Sequence, residues 1–411
     1  MIEVPNSYFQ KNSHTLEKFF SLLIYSWLYT GFARVYLLQR FANYLYFIPY
    51  IILLFILFYV LIFNLRKINL PGIFLFTNFA TIAFQILHVM LNDISVVTAF
   101  YGYCLYMMPV NLLFFISIFR NTDVLKKATS IIIYSIPFNV VTALLQTYTP
   151  NSFFARGIVS SDNVTSFNGF ARAYGTFSAP AGFAVYLSMV TSLYILSFRD
   201  RSRISNTFLL LQITTLYIVS GSRTVFYALI VIILFAAFSS NFARLISKSY
   251  RLIKFVPLIL LTVYIVNTYK FAMFEALLMR FRLAQNTENF GGRIFLNIFG
   301  FKSHLTDSFF GSGMGSYAIG NVGYQNQANW IEIDLIRNLA ELGSLLGIAW
   351  IFFRFALLIY LPIRFKKLRN PKAIILFASI SQNLLFGPIA GQSTISLACW
   401  ICIFLSLLIK K

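Results

Sequence analysis

Acidic side chains are scarce in this chain, and half of them lie in one polar interval. Six of the twelve Asp and Glu residues fall between Lys270 and Gly343. They are Glu275, Glu288, Asp307, Glu332, Asp334 and Glu341. An ionised carboxylate can accept a proton from a hydroxyl group that is about to react. If the protein performs carboxylate chemistry, this interval holds the candidate residues.

The interval ends where an apolar helix is predicted to begin, and charged residues cluster at that point. Glu332 has the spacing of the acidic residue in a capping box, which by itself would explain its presence. The next polar residues share one helix face through i,i+3 and i,i+4 spacing: Asp334, Arg337, Asn338 and Glu341. Because ionisable groups are costly in a membrane, we expect this face to line a cavity.

Three arginines lie near glycine or proline at the ends of apolar runs. Arg172 precedes a helix that Pro180 is expected to kink, and Arg223 lies on a short polar turn. Arg293 directly follows Gly292. A guanidinium beside free backbone N–H groups is suited to binding a phosphate. The structural alternatives are a simple proline kink, interfacial anchoring, and a basic loop near anionic head groups.

Other chemistry-bearing groups are few. His304 lies in the same polar interval and is a candidate base. No group of His, Cys, Asp and Glu has metal-ligand spacing, so we expect neither a metal nor another cofactor. Cys104, Cys399 and Cys402 lie in apolar runs and are expected to be buried.

The composition is that of an integral membrane protein. Of the 411 residues, 59% are hydrophobic and 11% are charged, whereas soluble domains have about 25% charged residues. We predict an all-α polytopic membrane protein with about twelve transmembrane helices, in a single integral domain over residues 1–411. The predicted spans are 45–65, 70–91, 95–119, 128–149, 173–197, 204–220, 224–240, 255–269, 333–360, 373–389 and 392–409. Whether residues 19–40 also cross the membrane stays open.

Basic residues fall in every second connection between the predicted spans, as one membrane face requires. The positive-inside rule makes that face cytoplasmic, which places both termini inside and the large connection 270–332 outside. The formal net charge of +21 therefore indicates orientation and contact with the lipid bilayer, and not nucleic-acid binding. No ATP is supplied to the outer face, so a reaction there needs an activated substrate.

Taken in order, the motifs resemble those of the O-antigen ligase and Wzy-type polysaccharide polymerase superfamily. The resemblance covers roughly residues 172–350, and the earlier residues match only as a series of spans. The motifs are Arg-x-x-Gly-Thr-Phe with a following proline (172–180), Gly-Ser-Arg-Thr (221–224), Gly292-Arg293 ahead of FFGSGMGSY (309–317), and the acidic, Asn and Gly residues of 332–347.

The resemblance implies a metal-independent glycosyltransferase of the GT-C type in a bacterial inner membrane. Its substrates would be oligosaccharides on undecaprenyl diphosphate, as donor and acceptor, at the outer face. The arginines that match the family's diphosphate-binding positions are Arg172, Arg223 and Arg293. We predict Glu332 as the general base, with Asp334 in reserve. The supporting residues are Gly292, His304, Arg337 and Glu341.

One departure from the family pattern favours a polymerase. Ligases of this family have a histidine nine residues before the position of Glu341, and this chain has Glu332 there. The alternatives are a ligase that transfers finished polymer and a flippase for lipid-linked oligosaccharide. A transporter would be expected to show paired repeats, and the sequence shows none. A chain-length regulator protein is a further expected partner.

Overall fold

A computed structural model describes residues 6–37, 41–64, 72–92, 94–120, 122–148, 173–197, 201–220, 222–238, 309–318 and 334–409. Among these residues 84% are helical and no strand occurs. The all-α prediction is therefore confirmed for this part of the chain.

The α-helices are numbered in chain order. They are α1 (Asn6–Phe32), α2 (Ala42–Leu45), α3 (Ile48–Asn64), α4 (Gly72–Leu91), α5 (Val96–Tyr106), α6 (Ile116–Phe119), α7 (Val124–Tyr134), α8 (Ile136–Tyr148), α9 (Pro180–Ser197), α10 (Arg203–Ser220), α11 (Arg223–Phe238), α12 (Asp334–Lys367), α13 (Pro371–Phe386) and α14 (Ser393–Leu408). A π-helix at Ala33–Leu37 follows α1, and a 3-10 helix at Val110–Phe115 precedes α6.

Several helices are long and apolar enough to cross a membrane. Within the described residues four segments have this character: Gly72–Leu91, Val124–Thr147, Pro180–Ser197 and Asp334–Lys367. A fifth is the pair Val96–Tyr106 and Val110–Phe119, bent by 43°, if the pair forms one span. Shorter apolar helices add to these. By length and composition these helices could span a membrane, which is compatible with a multi-pass membrane protein. The count of about twelve spans stays a prediction, and the predicted span 255–269 lies outside the described residues.

The chain divides into two compact units. Unit 1 comprises Met1–Ser135, Phe295–Ile359 and Gln382–Lys410. Unit 2 comprises Ile136–Ile294, Tyr360–Ser381 and Lys411. Helices α12 and α13 contribute residues to both units, and the prediction of one integral membrane domain stays a prediction.

The core of unit 1 surrounds α14, whose residues are buried on every face. Phe404 of this helix stacks on Phe20 of α1, with ring centroids 5.3 Å apart, and meets Phe119 edge-on at 5.1 Å. Trp27 of α1 donates from Nε1 to the Thr394 carbonyl at 2.9 Å. A helix that is apolar all round is expected in the interior. The predicted burial of Cys104, Cys399 and Cys402 is confirmed.

The core of unit 2 surrounds α9, in which every residue from Gly182 to Tyr194 is buried. Helix α9 packs on α10 and α11, and α10 also packs on α8. Polar side chains of α9 are paired within the unit. Thr191 Oγ1 and the Tyr217 hydroxyl are 2.8 Å apart, and Ser192 donates to the Ile375 carbonyl at 3.0 Å.

Helix α12 reverses direction at Gly343 and is not one straight rod. A continuous helix would separate Asp334 and Arg354 by about 30 Å, yet their side chains form an ion pair. Gly343 has φ 76° and ψ 178°, which is not helical. We call residues 334–342 the short leg and residues 344–367 the long leg. The predicted span 333–360 is corrected here, because a nine-residue leg of about 13 Å is too short to cross a hydrocarbon core of about 30 Å.

The two legs pack against each other symmetrically about Gly343. Leu335 and Leu339 of the short leg form a buried cluster with Ile351 of the long leg. A side chain at Gly347 would press on the backbone of Leu339, so the legs approach closely there. The hairpin belongs to unit 1 except for the last part of the long leg.

Candidate functional site

The short leg begins with a buried carboxylate that is held by two guanidinium groups. Asp334 is 1% exposed, and its side chain forms ion pairs with Arg337, three residues later, and with Arg354 of the long leg. Asn338 Nδ2 also lies 3.4 Å from Asp334 Oδ2. Burial raises the cost of separating such charges, so the three ionic groups form one cluster.

Arg354 joins this cluster to the end of α13. Its Nε donates to the Leu384 carbonyl at 3.0 Å, and its Nη2 donates to the carbonyls of Asn383 at 3.1 Å and Gly387 at 3.2 Å. The last carbonyls of a helix have no partner within the helix. Arg354 therefore caps α13 and presents its remaining nitrogen, Nη1, to Asp334.

Arg337 lies fully buried beside the turn that follows α13. A Cβ atom at Gly391 would overlap the Arg337 guanidinium, so only glycine leaves room for it at that position. The predicted supporting residue Arg337 is thus enclosed between the short leg and this turn. Its charge faces Asp334 and not solvent.

Glu341, near the other end of the short leg, accepts three hydrogen bonds. The Tyr106 hydroxyl donates to Oε2 at 2.8 Å, the Gly315 N–H donates to Oε2 at 3.1 Å, and the Tyr317 N–H donates to Oε1 at 2.9 Å. The Tyr106 hydroxyl also lies 2.9 Å from Asn338 Oδ1. Both oxygens of this buried carboxylate are bonded to Tyr106 or to the backbone of residues 315–317, so its contacts are those of a structural clamp.

The glycine-rich loop 309–318 is the element that Glu341 clamps. Gly311, Gly313 and Gly315 all have positive φ, between 71° and 98°. The Ser312 and Gly313 N–H groups donate to the Ala340 and Glu341 carbonyls at 2.8 and 2.9 Å. The loop thereby satisfies carbonyls that the end of the short leg leaves free.

Helices α4 and α5 hold the opposite side of this loop. Gln85 of α4 accepts from the Met314 N–H at 3.1 Å and donates to the Met314 carbonyl at 3.2 Å. The His88 Nε2 lies 3.0 Å from the Phe310 carbonyl. A Cβ atom at Gly102 of α5 would overlap the Met314 carbonyl, so the loop packs directly on the α5 backbone.

In unit 2, a backbone contact joins the residue after Arg172 to the end of α10, a few residues before Arg223. The Ala173 N–H, next to Arg172 in the chain, donates to the Val219 carbonyl at 3.4 Å. Val219 lies four residues before Arg223, which is the first residue of α11. The residue that follows Arg172 and a residue that shortly precedes Arg223 are therefore neighbours.

The turn after Arg172 is fixed by two amides of α8. Gln146 Oε1 accepts from the Tyr174 and Gly175 N–H groups, both at 2.9 Å, and Gln146 Nε2 donates to the Gly175 carbonyl at 2.8 Å. Asn139 Oδ1 accepts from the Thr176 N–H at 3.0 Å. Gly175 has φ 56°, and this conformation leads the chain into α9 at Pro180.

Several predicted site residues lie outside the described residues: Arg172, Gly292, Arg293, His304 and Glu332. Arg223 is described as the start of α11, without its side chain. Their predicted roles stay predictions. Asp334, Arg337 and Glu341 are brought together in one buried cluster, where their contacts favour holding the chain in place.

Sequence reasoning missed Arg354, Tyr106, Gln85 and Gln146. Arg354 carried a readable signal, because a single charge inside a long apolar run indicates a specific partner. Tyr106, Gln85 and Gln146 are ordinary polar residues of apolar helices, and nothing in their spacing sets them apart. Their roles depend on which segments meet in space.

Within the described residues no group of three His, Cys, Asp and Glu side chains is placed to hold a metal ion. The two acids and two arginines of the cluster balance in formal charge. The arrangement can therefore fix a short helix and a loop in a low-dielectric setting without a counter-ion.

No protein-family model matches this chain, and the search of curated proteins gave no match either.

Proposed function

We propose that this protein is a polysaccharide repeat-unit polymerase that transfers an oligosaccharide from undecaprenyl diphosphate to another lipid-linked unit. The observation that carries the proposal is the set of contacts made by the last motif, residues 332–347. Its described polar residues, Asp334, Asn338 and Glu341, are all engaged in one cluster, while Gly343 and Gly347 permit the reversal and the close packing of the legs. These contacts give the described residues of the motif one shared packing role, which supports treating them as a single motif.

The first two arginine motifs give a second, independent support. The backbone contact between Ala173 and Val219 brings the residue after Arg172 next to the end of α10, four residues before Arg223. Two guanidinium groups carried by neighbouring segments suit a diphosphate, which accepts several charge-assisted hydrogen bonds. The assignment of Arg172, Arg223 and Arg293 to the donor diphosphate belongs to the proposal.

The reaction is a single displacement at the anomeric carbon of the donor sugar. The acceptor hydroxyl oxygen forms a bond to this carbon, and the bond from the carbon to the diphosphate oxygen breaks. Glu332 accepts the hydroxyl proton, and the arginines stabilise the charge that accumulates on the diphosphate. The leaving group is already activated, so the reaction needs neither ATP nor a metal ion, and the product linkage has the inverted anomeric configuration.

The proposed setting is a bacterial inner membrane, with the reaction at the outer face and both termini in the cytoplasm. The charge distribution of the connections supports this orientation. A chain-length regulator is a proposed partner of the same membrane.

The test is the size pattern of lipid-linked saccharides in cells that lack the gene, with variants supplied in its place. We expect single repeat units to accumulate on the lipid at the outer face, and the variants Arg223→Ala and Glu332→Gln to behave like the deletion. Matched controls are Arg203→Ala and Asp123→Asn, which change exposed residues of the same charge and should restore polymer.

The other outcomes identify the rival functions. Accumulation of full-length lipid-linked polymer would make the protein a ligase. Accumulation of single units on the cytoplasmic face would make it a flippase. Normal chain lengths with Glu332→Gln would return Glu332 to a helix-capping role.

A further inference from the structure

We propose that Arg354 is a positioning residue for this reaction. It fixes the position of Asp334 and of the short leg that Asp334 begins. On the proposed function, Glu332 acts from just before this leg. The role of Glu332 as the positioned base rests on the proposed function. The way in which Arg354 holds the short leg rests only on contacts within unit 1.

Arg354 is suited to this task because it is itself fixed without Asp334. Its Nε and Nη2 donate to three backbone carbonyls at the end of α13, at 3.0 to 3.2 Å. It is 1% exposed and lies on the long leg. The planar guanidinium fork then points Nη1 at Asp334 in a single orientation. An ammonium group would lack this geometry.

Asp334 has the contacts of an anchor and not those of a base. Its Oδ1 faces Arg337, and its Oδ2 faces both Arg354 and Asn338. A substrate hydroxyl would reach this 1% exposed carboxylate only after these contacts broke. The role of a reserve base therefore suits Asp334 less well than the role of a fixed attachment point.

The short leg needs such an attachment because a helix of nine residues is not stable by itself. Its start is tied through Asp334 to Arg354, and its end is tied through Glu341 to the glycine-rich loop. Leu335 and Leu339 bury the side that faces the long leg. Because it is held at both ends and along one side, the short leg is a rigid support for the residues attached to it.

Chain geometry links the rigid short leg to the proposed base, Glu332. Glu332 precedes Asp334 by two residues, and two residues of chain extend at most about 7 Å. Fixing Asp334 therefore restricts where Glu332 can act. A shift of about 1 Å in a reacting group can reduce a rate about 100-fold.

The first measurement is the rate of polymer formation by purified protein from lipid-linked repeat units. We expect Arg354→Gln and Asp334→Asn each to lower kcat by about 10 to 100-fold while the KM for the donor changes less than about 2-fold. Arg354→Lys should lose nearly as much as Arg354→Gln, because it keeps the charge but not the fork. The double variant should be no slower than the slower single variant, because both changes break the same pair.

The second measurement reports the hairpin without any activity. Leu335→Cys with Ile351→Cys places two thiols at positions that pack together, and oxidation should link them readily. The pair Leu335→Cys with Leu345→Cys is the control, because Leu345 is closer to Leu335 in sequence but is exposed and lies outside the buried cluster of Leu335 and Ile351. Adding Arg354→Gln should slow the first cross-link several-fold, and the completed cross-link should restore most of the lost kcat.

Three results would overturn the proposal. One is loss of all activity with Asp334→Asn while Arg354→Gln works normally, which would make Asp334 the base. Another is a double variant whose losses multiply. The third is cross-linking that is unaffected by Arg354→Gln. If wild-type protein makes no polymer but cross-linking depends on Arg354, the proposed function fails and the lock on the short leg stands.

Discussion

At the scale of single residues, the carboxylates of this protein differ in what surrounds them. Glu341 accepts from three donors and Asp334 is paired with two arginines. Both are buried, and both hold segments that are distant in the sequence. Glu17 of α1, also in unit 1, provides a third case, with Lys127 as its partner.

Replacing Glu341 by Gln is expected to destabilise unit 1. The amide keeps the size of the carboxylate, but its NH2 group faces an N–H or O–H donor, which leaves a buried donor unsatisfied. The expected loss is about 1–3 kcal/mol in the free energy of unfolding, measured by thermal unfolding in detergent. Asp123→Asn, at an exposed position, is the control. An unchanged Tm for Glu341→Gln would show that the clamp on the glycine-rich loop is dispensable.

Glu17 should make stability depend on pH. Burial opposes ionisation of this carboxylate, but the Lys127 ammonium at 2.6 Å and the Asp123 N–H at 2.9 Å outweigh it and lower the pKa of Glu17. A lowered pKa in the folded state stabilises the fold above the ordinary pKa of a Glu side chain, and this contribution is lost as pH falls through the lowered value. Wild type should therefore exceed Glu17→Gln in Tm at neutral pH, and the two should converge in acid. A constant difference across that range would contradict this.

At the scale of elements, the protein positions polar groups at a break within one helix and in the turn that leads into another. The reversal of α12 at Gly343 brings Asp334 to Arg354, and the turn before α9 is shaped by Gly175 and held by Gln146. Each interruption lies beside a motif that sequence analysis singled out. The polar chemistry of these elements depends on the break in the helix.

Gly343→Ala should disrupt the hairpin. Glycine alone adopts φ 76° with ψ 178° readily, and other residues lose about 1–3 kcal/mol there. A Cβ atom would also overlap the Phe309 carbonyl. We expect a lower Tm and slower cross-linking of Leu335→Cys with Ile351→Cys. Gly72→Ala is the matched control, because no atom lies within 4 Å of the added Cβ; equal effects of the two variants would argue against the reversal.

Gln146→Leu should weaken donor binding through the turn after Arg172. The change removes three hydrogen bonds to the backbone of Tyr174 and Gly175, so the turn that directly follows Arg172 in the chain is held less firmly. On the proposed function, we expect the KM for the lipid-linked donor to rise about 10-fold or more, since part of a charge-assisted contact is lost. Gln212→Leu in α10 is the control. A normal KM for Gln146→Leu would separate the turn from donor binding.

At the scale of the whole molecule, the two units each surround one buried helix, α14 in unit 1 and α9 in unit 2. The exposed side chains of α3 and α4 include many large apolar groups, such as Phe55, Phe76 and Phe79. Surfaces of this kind are suited to lipid.

The proposed orientation can be tested with reporter fusions. An enzyme that is active only outside the cytoplasm should be active when fused after residue 300, in the large connection. It should be inactive when fused after residue 369, just beyond the basic end of the long leg. The reverse pattern would show that the large connection faces the cytoplasm. The argument that the reaction takes place where no ATP is supplied would then fail.

The sequence by itself determined the all-α class, the presence of apolar helices that could span a membrane, and the interval in which the polar groups lie. Composition and the length of apolar runs decide these properties, because a lipid interior admits only segments that pair their own backbone groups. The shared helix face of Asp334, Arg337, Asn338 and Glu341 was also readable, since it depends only on local spacing.

Tertiary structure alone decided what that face does. The sequence predicted one span over 333–360, because a glycine such as Gly343 inside an apolar run does not by itself indicate that the chain reverses direction there. The partners of the face, Arg354 and Tyr106, are distant in the sequence, and nothing local selects them. A buried charge finds its counter-charge through the packing of whole elements, so the difference between a reactive carboxylate and an anchoring one lies in contacts that spacing does not contain.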